Sequence, residues 1–245
     1  MEDRQVPDTR RQIIALGGGG FGVDSTNLAL DRYILAQARV SEPAVAFVPT
    51  ASGESDNYIV RFYTAYLGLP CRPSHLALFR RTPDLRSYLL AQDVIYVGGG
   101  NTKSMLAVWR EWGVPELLRE AWEAGIVLAG ISAGAICWFE QGVTDSFADQ
   151  LRAIDCLGFL SGSCCPHYSG EPDRRPSFHR LLRQGEIAPG FALEDGVGIH
   201  FTDERVHRVI ASRKGASAYR VHLVSAEVRE EPMSVEYLGA ETSGA

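Results

Sequence analysis

The sequence predicts an α/β fold: a doubly wound, mostly parallel sheet flanked by helices, with antiparallel strands toward the C-terminus. Three observations predict it. Short apolar runs alternate with stretches of helical length between residues 12 and 131. Loops of small residues follow four of the strand-like runs. After residue 186, short strand-like runs separated by turn residues replace that alternation.

The alternating part defines its elements in order. We predict strands at 12–16, 44–48, 75–79, 93–97 and 126–129, and helices at 26–38, 57–67, 83–91, 102–112 and 115–124. Strands joined by helices are typical of parallel pairing, because the crossover needs a dozen or more residues. In the C-terminal part we predict strands at 191–193, 197–201, 206–211, 218–224 and near 234–238, continuing the same sheet.

Composition limits the function classes. The chain has 245 residues, of which 45% are hydrophobic and 22% charged, as in a soluble globular protein. We expect a loose tail at 1–11 and one domain at 12–240. The net charge of −6 argues against nucleic acid as a partner. No apolar run is long enough to span a membrane, and no secretory signal is visible. The five cysteines include no C-x-x-C pair, so we expect free thiols, a cytoplasmic location and no metal or cofactor.

The most specific motif lies at residues 126–140. An apolar run leads into Gly130-Ile131-Ser132-Ala133-Gly134, and a helix-like run to Phe139 follows. G-x-S-x-G between a strand and a helix is typical of a nucleophile elbow. The glycines allow close backbone approach, Ser132 is presented as a nucleophile, and the Ala133 N–H is placed to stabilise an oxyanion. The alternative is a glycine-rich turn with a passive serine.

Three further loops follow predicted strands, at 17–22, 49–52 and 98–102. The carboxyl ends of parallel strands build the site in such sheets, so these loops and the elbow should meet. The amide of Gly99 or Gly100 is the second candidate for the oxyanion hole, and Asn101 is a candidate for binding substrate. The alternative for Asn101 is to cap the next helix.

The loop at 17–22 also matches G-x-G-x-x-G, which can cradle a dinucleotide. Glu42 is the acidic residue at the required separation, but it precedes its strand instead of following it. The pattern is therefore weak evidence for a nucleotide site.

A serine nucleophile needs a base. His167 lies in a loop of small residues, Ser161 to Gly170, which makes it the best candidate among six histidines. The third member, which would orient the imidazole, stays open among Asp145, Glu194 and Asp195, any of which could instead be a turn or capping carboxylate.

These residues resemble the peptidase E family, cytoplasmic aspartyl dipeptidases with a class I glutamine amidotransferase-like, flavodoxin-like fold, which the related cyanophycinases share. The resemblance runs from Ile13 to about His222 and rests on VPTAS at 48–52, GGGNT at 98–102, GISAGA at 130–135, VTDS at 143–146 and PHY at 166–168.

The resemblance implies a serine dipeptidase that cleaves after N-terminal aspartate, with Ser132 as nucleophile and His167 as base. It implies importance for Asp145, and a carboxylate approaching the histidine from the turn at Glu194-Asp195. It also implies a homodimer and a small peptide as the partner. An aspartyl side chain needs a cation, and Arg174 and Arg175 follow the histidine loop closely enough to supply one; otherwise they are a solvated basic patch.

Two other functions stay open. One is an α/β-hydrolase-type esterase using Ser132, Asp195 or Asp203, and His222, although an HGGG-type oxyanion loop is missing. The other is a non-catalytic ligand-binding protein on an amidotransferase-like scaffold, holding a nucleotide at 17–22.

Overall fold

The computed structural model describes residues 10–148 and 150–239. Its strands are β1 (Gln12–Leu16), β2 (Ala44–Val48), β3 (Arg72–His75), β4 (Val94–Val97), β5 (Val127–Ile131), β6 (Phe139–Thr144), β7 (Arg152–Asp155), β8 (Leu160–Cys165), β9 (Gly190–Leu193), β10 (Val197–Thr202), β11 (Arg205–Ala211), β12 (Ala218–Val224), β13 (Glu227–Pro232) and β14 (Glu236–Tyr237).

Its helices are α1 (Ala29–Leu35), α2 (Asp56–Tyr66), α3 (Leu85–Leu90), α4 (Thr102–Trp112), α5 (Val114–Glu123), α6 (Ala133–Ile136) and α7 (Arg174–Gln184). The local sequence sets their ends. The Asn101 side chain accepts a hydrogen bond from the Ser104 N–H at 2.9 Å and caps α4. Gly113, at φ 65°, ends α4 and begins α5.

The first sheet has the order β14-β11-β10-β1-β5-β4-β2-β3. The strands from β1 to β3 in this order pair in parallel, and β10 and β11 extend the sheet on the other side as an antiparallel hairpin. Alternate residues of β1 face opposite layers: Ile13 and Ala15 lie in one apolar cluster, Ile14 and Leu16 in the other. The predicted α/β class with a mostly parallel, helix-flanked sheet is confirmed.

The second sheet corrects the expectation of one continuous sheet. Its order is β13-β12-β9-β8-β6-β7. Strands β9 and β12 therefore belong to the second sheet, whereas β10 and β11, which lie between them in the sequence, belong to the first. Strands β6, β7, β8 and β13 were not predicted. Their sequences carry small and polar residues that hide the apolar pattern; Gly142 in β6, for example, leaves room for the Ile136 side chain, to whose Cβ an added Cβ would lie 2.6 Å away.

The predicted strand at 75–79 is wrong. The strand ends at His75 and begins at Arg72, because its pairing with β2 runs from Ala44↔Arg72 to Phe47↔His75. The tail predicted at 1–11 lies mostly outside the described residues. Arg11 is described, and it is anchored: it pairs with Asp203 at 3.2 Å and lies over the Trp122 ring. The extent of the domain, 12–240, stays a prediction.

Candidate active site

The turn at Ser132 has the backbone of a nucleophile elbow. Ser132 follows β5 with φ 56° and ψ −113°, a conformation that costs free energy for a residue with a Cβ. A Cβ on Gly130 would overlap the carbonyl of Gly134, and a Cβ on Gly134 would overlap that of Val97. The helix that follows ends at Ile136, shorter than predicted, because β6 begins at Phe139. The two glycines thus permit the bend that presents Ser132.

The loop after β1 brings Ser132 and His167 to neighbouring peptide groups. The Ser132 N–H donates to the Leu16 carbonyl at 3.1 Å, and the His167 N–H donates to the Gly17 carbonyl at 3.2 Å. His167 has φ 53°, a second left-handed residue at the site. Its position just after β8, instead of within a long loop, comes from the unpredicted second sheet. Two residues 35 positions apart in the sequence are therefore both bonded to the backbone at the end of β1.

Asp195 contacts the imidazole. Its Oδ1 lies 2.6 Å from His167 Nδ1, and the hydrogen bond to His167 lowers the pKa of the Asp195 carboxyl, so the group is a carboxylate at neutral pH. The carboxylate fits between two glycines, since a Cβ on Gly18 would overlap Oδ1 and a Cβ on Gly170 would overlap Oδ2. Asp195 is thus placed to orient His167.

The other two candidate carboxylates have different partners. Glu194 accepts hydrogen bonds from the Ser169 hydroxyl and, at 3.0 Å, from the Ser217 N–H. Asp145 is 63% exposed and lies 3.5 Å from Arg174 Nη2. The structure therefore separates the three acids that the sequence left open, and only Asp195 has a described contact with the His167 ring.

The two candidate arginines, Arg174 and Arg175, also have different partners. Arg174 is only 3% exposed; its Nε donates to Glu171 at 2.7 Å and its Nη1 to the Val143 carbonyl at 2.9 Å. Its positive charge also contributes, as a minor cause, to the lowered pKa of the Asp195 carboxyl. Arg175 pairs with Glu230 and lies over the Tyr168 ring. Arg174 is therefore not part of a solvated basic patch, whereas Arg175 is 46% exposed and lies at the surface in its ion pair.

The loop at 98–102 contacts Ser132 through Gly99. A Cβ on Gly99 would lie 3.2 Å from Ser132 Cβ and 3.8 Å from its Oγ. Gly100, at φ 137°, packs against the Ala51 backbone instead. The Asn101 oxygen is engaged in capping α4, which leaves only its NH₂ group for a ligand. The Gly99 amide is therefore the better partner for the Ala133 amide.

Sequence reasoning missed two side chains beneath these loops. The Tyr58 hydroxyl of α2 lies 3.4 Å from the Gly99 nitrogen and accepts its N–H, and burial raises the Tyr58 pKa to about 12. Asp31 of α1 is fully buried and accepts hydrogen bonds from the Phe21 N–H and the Tyr66 hydroxyl, both at 3.0 Å. Burial raises its pKa to about 6. Neither residue belongs to a local motif that could have revealed it.

The structure does not support the nucleotide fingerprint at 17–22. That motif requires a helix starting directly at the glycines, whereas here a short 3-10 turn at Gly20–Gly22 follows and α1 begins only at Ala29. Gly18 packs instead against His167 and Asp195.

The esterase constellation is also absent. Asp203 lies in the turn beyond Thr202, which pairs with Gln12, while Ser132 lies beyond the opposite end of β1. His222 pairs with Glu231 at 3.6 Å. It lines a separate cleft of 850 Å³ with Phe201 and Arg220, and no residue of the loops around Ser132 lines that cleft.

Within residues 10–148 and 150–239, no helix combines the length and apolarity needed to cross a bilayer, and no cluster of three or more His, Cys, Asp or Glu side chains could hold a metal. All five cysteines are free thiols, as predicted.

Known proteins are similar to this chain in sequence and in fold. The sequence pattern of Peptidase family S51 matches residues 13–209. The chain is 54% identical over 230 residues to the uncharacterized peptidase YgaJ of Bacillus subtilis, covering 94% of this chain and all of that relative. It is 26% identical over 198 residues to Peptidase E of Streptomyces coelicolor, covering 72% and 74%.

Two crystal structures share the fold. A peptidase from an acI-B1 Actinobacterium matches with a TM-score of 0.68 and 17% identity, over 92% of this chain and 95% of that one. A putative peptidase E protein from Listeria monocytogenes matches with a TM-score of 0.61 and 21% identity, over 80% and 96%.

Proposed function

This chain belongs to peptidase family S51 and is a peptidase, and from that premise we propose that it hydrolyses dipeptides with N-terminal aspartate through an acyl-enzyme on Ser132. One observation carries the proposal. Ser132 and His167 are bonded through their N–H groups to the consecutive carbonyls of Leu16 and Gly17, and Asp195 bonds Nδ1 of His167. Acyl transfer requires a nucleophile, a base and an acid that orients the base, and in our proposal these three residues supply them.

The chemistry needs only these groups. His167 Nε2 takes the proton from Ser132 as Oγ attacks the scissile carbonyl, and Asp195 stabilises the imidazolium through Nδ1–H. The protonated ring gives its proton to the leaving amine, and water then releases the acyl group by the reverse sequence. The amides of Ala133 and Gly99 donate to the oxyanion. No step uses a metal or a cofactor.

Arg174 is the proposed acceptor of the aspartyl side chain. A guanidinium has five N–H donors; one goes to Glu171 and one to Val143, Asp145 forms an ion pair at 3.5 Å, and the remaining N–H groups of the two Nη atoms are left for a substrate carboxylate. The three partners fix its orientation before substrate arrives, which lowers the entropic cost of binding. In this proposal Asp145 orients Arg174 and has no role at His167. Arg175, held by Glu230, has no role in specificity.

The first experiment measures hydrolysis of Asp-Leu and Ala-Leu by the wild-type protein and by Ser132→Ala. We expect wild type to cleave Asp-Leu and Ser132→Ala to lose about 10⁴-fold or more in kcat with an unchanged unfolding midpoint. EDTA should leave the wild-type rate intact. Full turnover by Ser132→Ala would remove the serine from the reaction, and equal cleavage of the two dipeptides would refute the aspartyl preference.

A second experiment tests specificity with neighbouring arginines. Arg174→Lys keeps the charge but loses the planar donor fork, so the ratio of kcat/KM for Asp-Leu over Ala-Leu should fall about 10-fold or more. Arg175→Lys is the matched control and should leave that ratio unchanged. A changed ratio in the control, or an unchanged one in Arg174→Lys, contradicts the role given to Arg174.

The free cysteines support a reducing, cytoplasmic setting. A homodimer remains our proposal from the family resemblance, and light scattering of the purified protein would contradict it by giving a monomer mass.

A further inference from the structure

Tyr58 lies where three elements of the active site meet. Its hydroxyl accepts the Gly99 N–H at 3.4 Å. A Cβ on Gly98 would lie 3.0 Å from Tyr58 Cε1, and a Cβ on Gly22 would lie 2.9 Å from its hydroxyl. Glycine at both positions leaves room for this side chain. A tyrosine of α2 therefore fills the space between the first glycine loop and the loop that contacts Ser132.

The ring of Tyr58 is held by aromatic packing. Its centroid lies 5.5 Å from that of Phe21 and 5.0 Å from that of Phe47, which in turn stacks on Phe62 at 4.8 Å. These aromatic contacts hold the Tyr58 ring in one position more firmly than solvent would hold the ring of an exposed tyrosine. The position of the hydroxyl is thus set before any substrate binds.

The hydroxyl has a proton left to donate. Accepting the Gly99 N–H uses a lone pair, and the described residues supply no acceptor for its O–H. Burial raises the Tyr58 pKa to about 12, so the group stays protonated throughout the range in which a histidine base works. At 3.4 Å, its contact with Gly99 is long and easily exchanged for a shorter one.

We propose that the Tyr58 hydroxyl is a third donor of the oxyanion hole, a catalytic residue beside the amides of Gly99 and Ala133. The proposal rests on the serine mechanism proposed above. The Gly99 nitrogen and the Tyr58 oxygen are 3.4 Å apart. One oxyanion can therefore lie within hydrogen-bond distance of both, about 2.9 Å from the nitrogen and about 2.7 Å from the hydroxyl oxygen. The amide then releases the tyrosine oxygen and both groups donate to the substrate. Tyr58 keeps its proton throughout and forms no covalent bond.

The test compares Tyr58→Phe with Tyr63→Phe on the same helix. Tyr58→Phe removes the hydroxyl and keeps the ring, so kcat for Asp-Leu should fall about 100-fold with KM within about twofold and the same unfolding midpoint. Tyr63, whose hydroxyl lies 2.9 Å from His75 Nδ1, loses a hydroxyl away from the site, and its variant should match wild type.

An aspartyl aldehyde separates an oxyanion contact from a structural one. Its adduct with Ser132 places an oxygen where the oxyanion forms, so the affinity of Tyr58→Phe for it should fall by about the factor seen in kcat. The affinity for intact Asp-Leu, measured by calorimetry in the Ser132→Ala background, should not change on adding Tyr58→Phe. A loss in kcat with unchanged aldehyde affinity, a lowered unfolding midpoint that accounts for the loss, or wild-type kcat in Tyr58→Phe overturns the proposal.

The aldehyde measurement requires no turnover. A wild-type protein that neither cleaves Asp-Leu nor binds the aldehyde contradicts the serine mechanism itself. A wild-type protein that does both, with Tyr58→Phe indistinguishable from it, contradicts only the role of Tyr58.

Discussion

The two sheets contribute different halves of the candidate active site. The first sheet supplies Ser132 after β5 and the Gly99 amide after β4, both from loops between parallel strands. The second sheet supplies His167 after β8, and Asp195 lies between β9 of the second sheet and β10 of the first. The serine half is a local motif, whereas the histidine half exists only because the two sheets meet at the loop after β1.

This difference shows how each half is held. The bend of the elbow depends on backbone contacts within a few residues, such as Gly130 against Gly134, and the neighbouring strands add the contacts to Leu16 and Val97. His167 is fixed by long-range contacts to Gly17 and Asp195, and the adjoining Tyr168 by Glu230 of β13. Substitutions in the two halves should therefore fail in different ways.

The largest expected effect lies where the sheets join. Asp195→Asn keeps the shape but loses the negative charge that stabilises the imidazolium, so kcat should fall about 10³- to 10⁴-fold. Glu194→Gln is the matched control, since its carboxylate bonds Ser169 and Ser217, and its kcat should stay near that of wild type. Steady-state kinetics on both variants checks this, and a larger loss in Glu194→Gln would reverse the assignment of the acid.

The next effect concerns the first sheet and is a pH dependence of stability. Burial raises the pKa of Asp31 to about 6 from 3.8, so the folded state holds this proton more tightly than the unfolded state. That contribution is complete below pH 3.8 and is lost as the pH rises through 6. Asp31→Asn lacks this loss.

The free energy of unfolding of Asp31→Asn, taken relative to that of wild type, should therefore rise by up to about 3 kcal/mol between pH 4 and pH 7. Urea unfolding across this pH range measures the difference. Asp24→Asn is the control: Asp24 is exposed and its pKa is lowered by the hydrogen bond from the Thr26 hydroxyl, so this variant should show no gain. A flat difference for Asp31→Asn would contradict the proposed burial penalty.

The smallest effect concerns the second sheet. Glu230 accepts hydrogen bonds from Arg175, Tyr168 and His179, and the Arg175 hydrogen bond leads in lowering its pKa to about 2. The resulting stabilisation is present above pH 4.5 and lost as the pH falls toward 2. Glu230→Gln should lose about 2 kcal/mol at pH 7, while kcat of the folded enzyme stays near wild type because Gly17 and Asp195 still hold His167.

Thermal and urea unfolding of Glu230→Gln and of Glu231→Gln compare a half-buried acid with its exposed neighbour. The Glu231 variant should change stability by less than about 0.5 kcal/mol. Equal losses in the two variants would show that the charge cluster adds nothing to the second sheet.

Much of the first sheet was predictable. The bounds of β1, β2 and α4 agree with the sequence prediction, because buried parallel strands are continuous apolar runs and helices carry capping residues. Strands β6 and β8 were not predictable, because serine, glycine and cysteine in Leu160–Cys165 give no period-two pattern. The prediction also failed where one hairpin, β12–β13, joined the second sheet, since pairing partners are not encoded in either strand alone.

The sequence by itself determined the tight turn at Ser132 and the GGGN loop, because tight turns require particular small residues at fixed spacing, and it singled out His167 as the candidate base. Only the tertiary structure decided that Asp195 contacts His167 while Glu194 and Asp145 do not, that Arg174 differs from Arg175, and that Tyr58 reaches Gly99. Those choices depend on which side chains converge from distant parts of the chain. Convergence is set by the packing of two sheets, which no local pattern records.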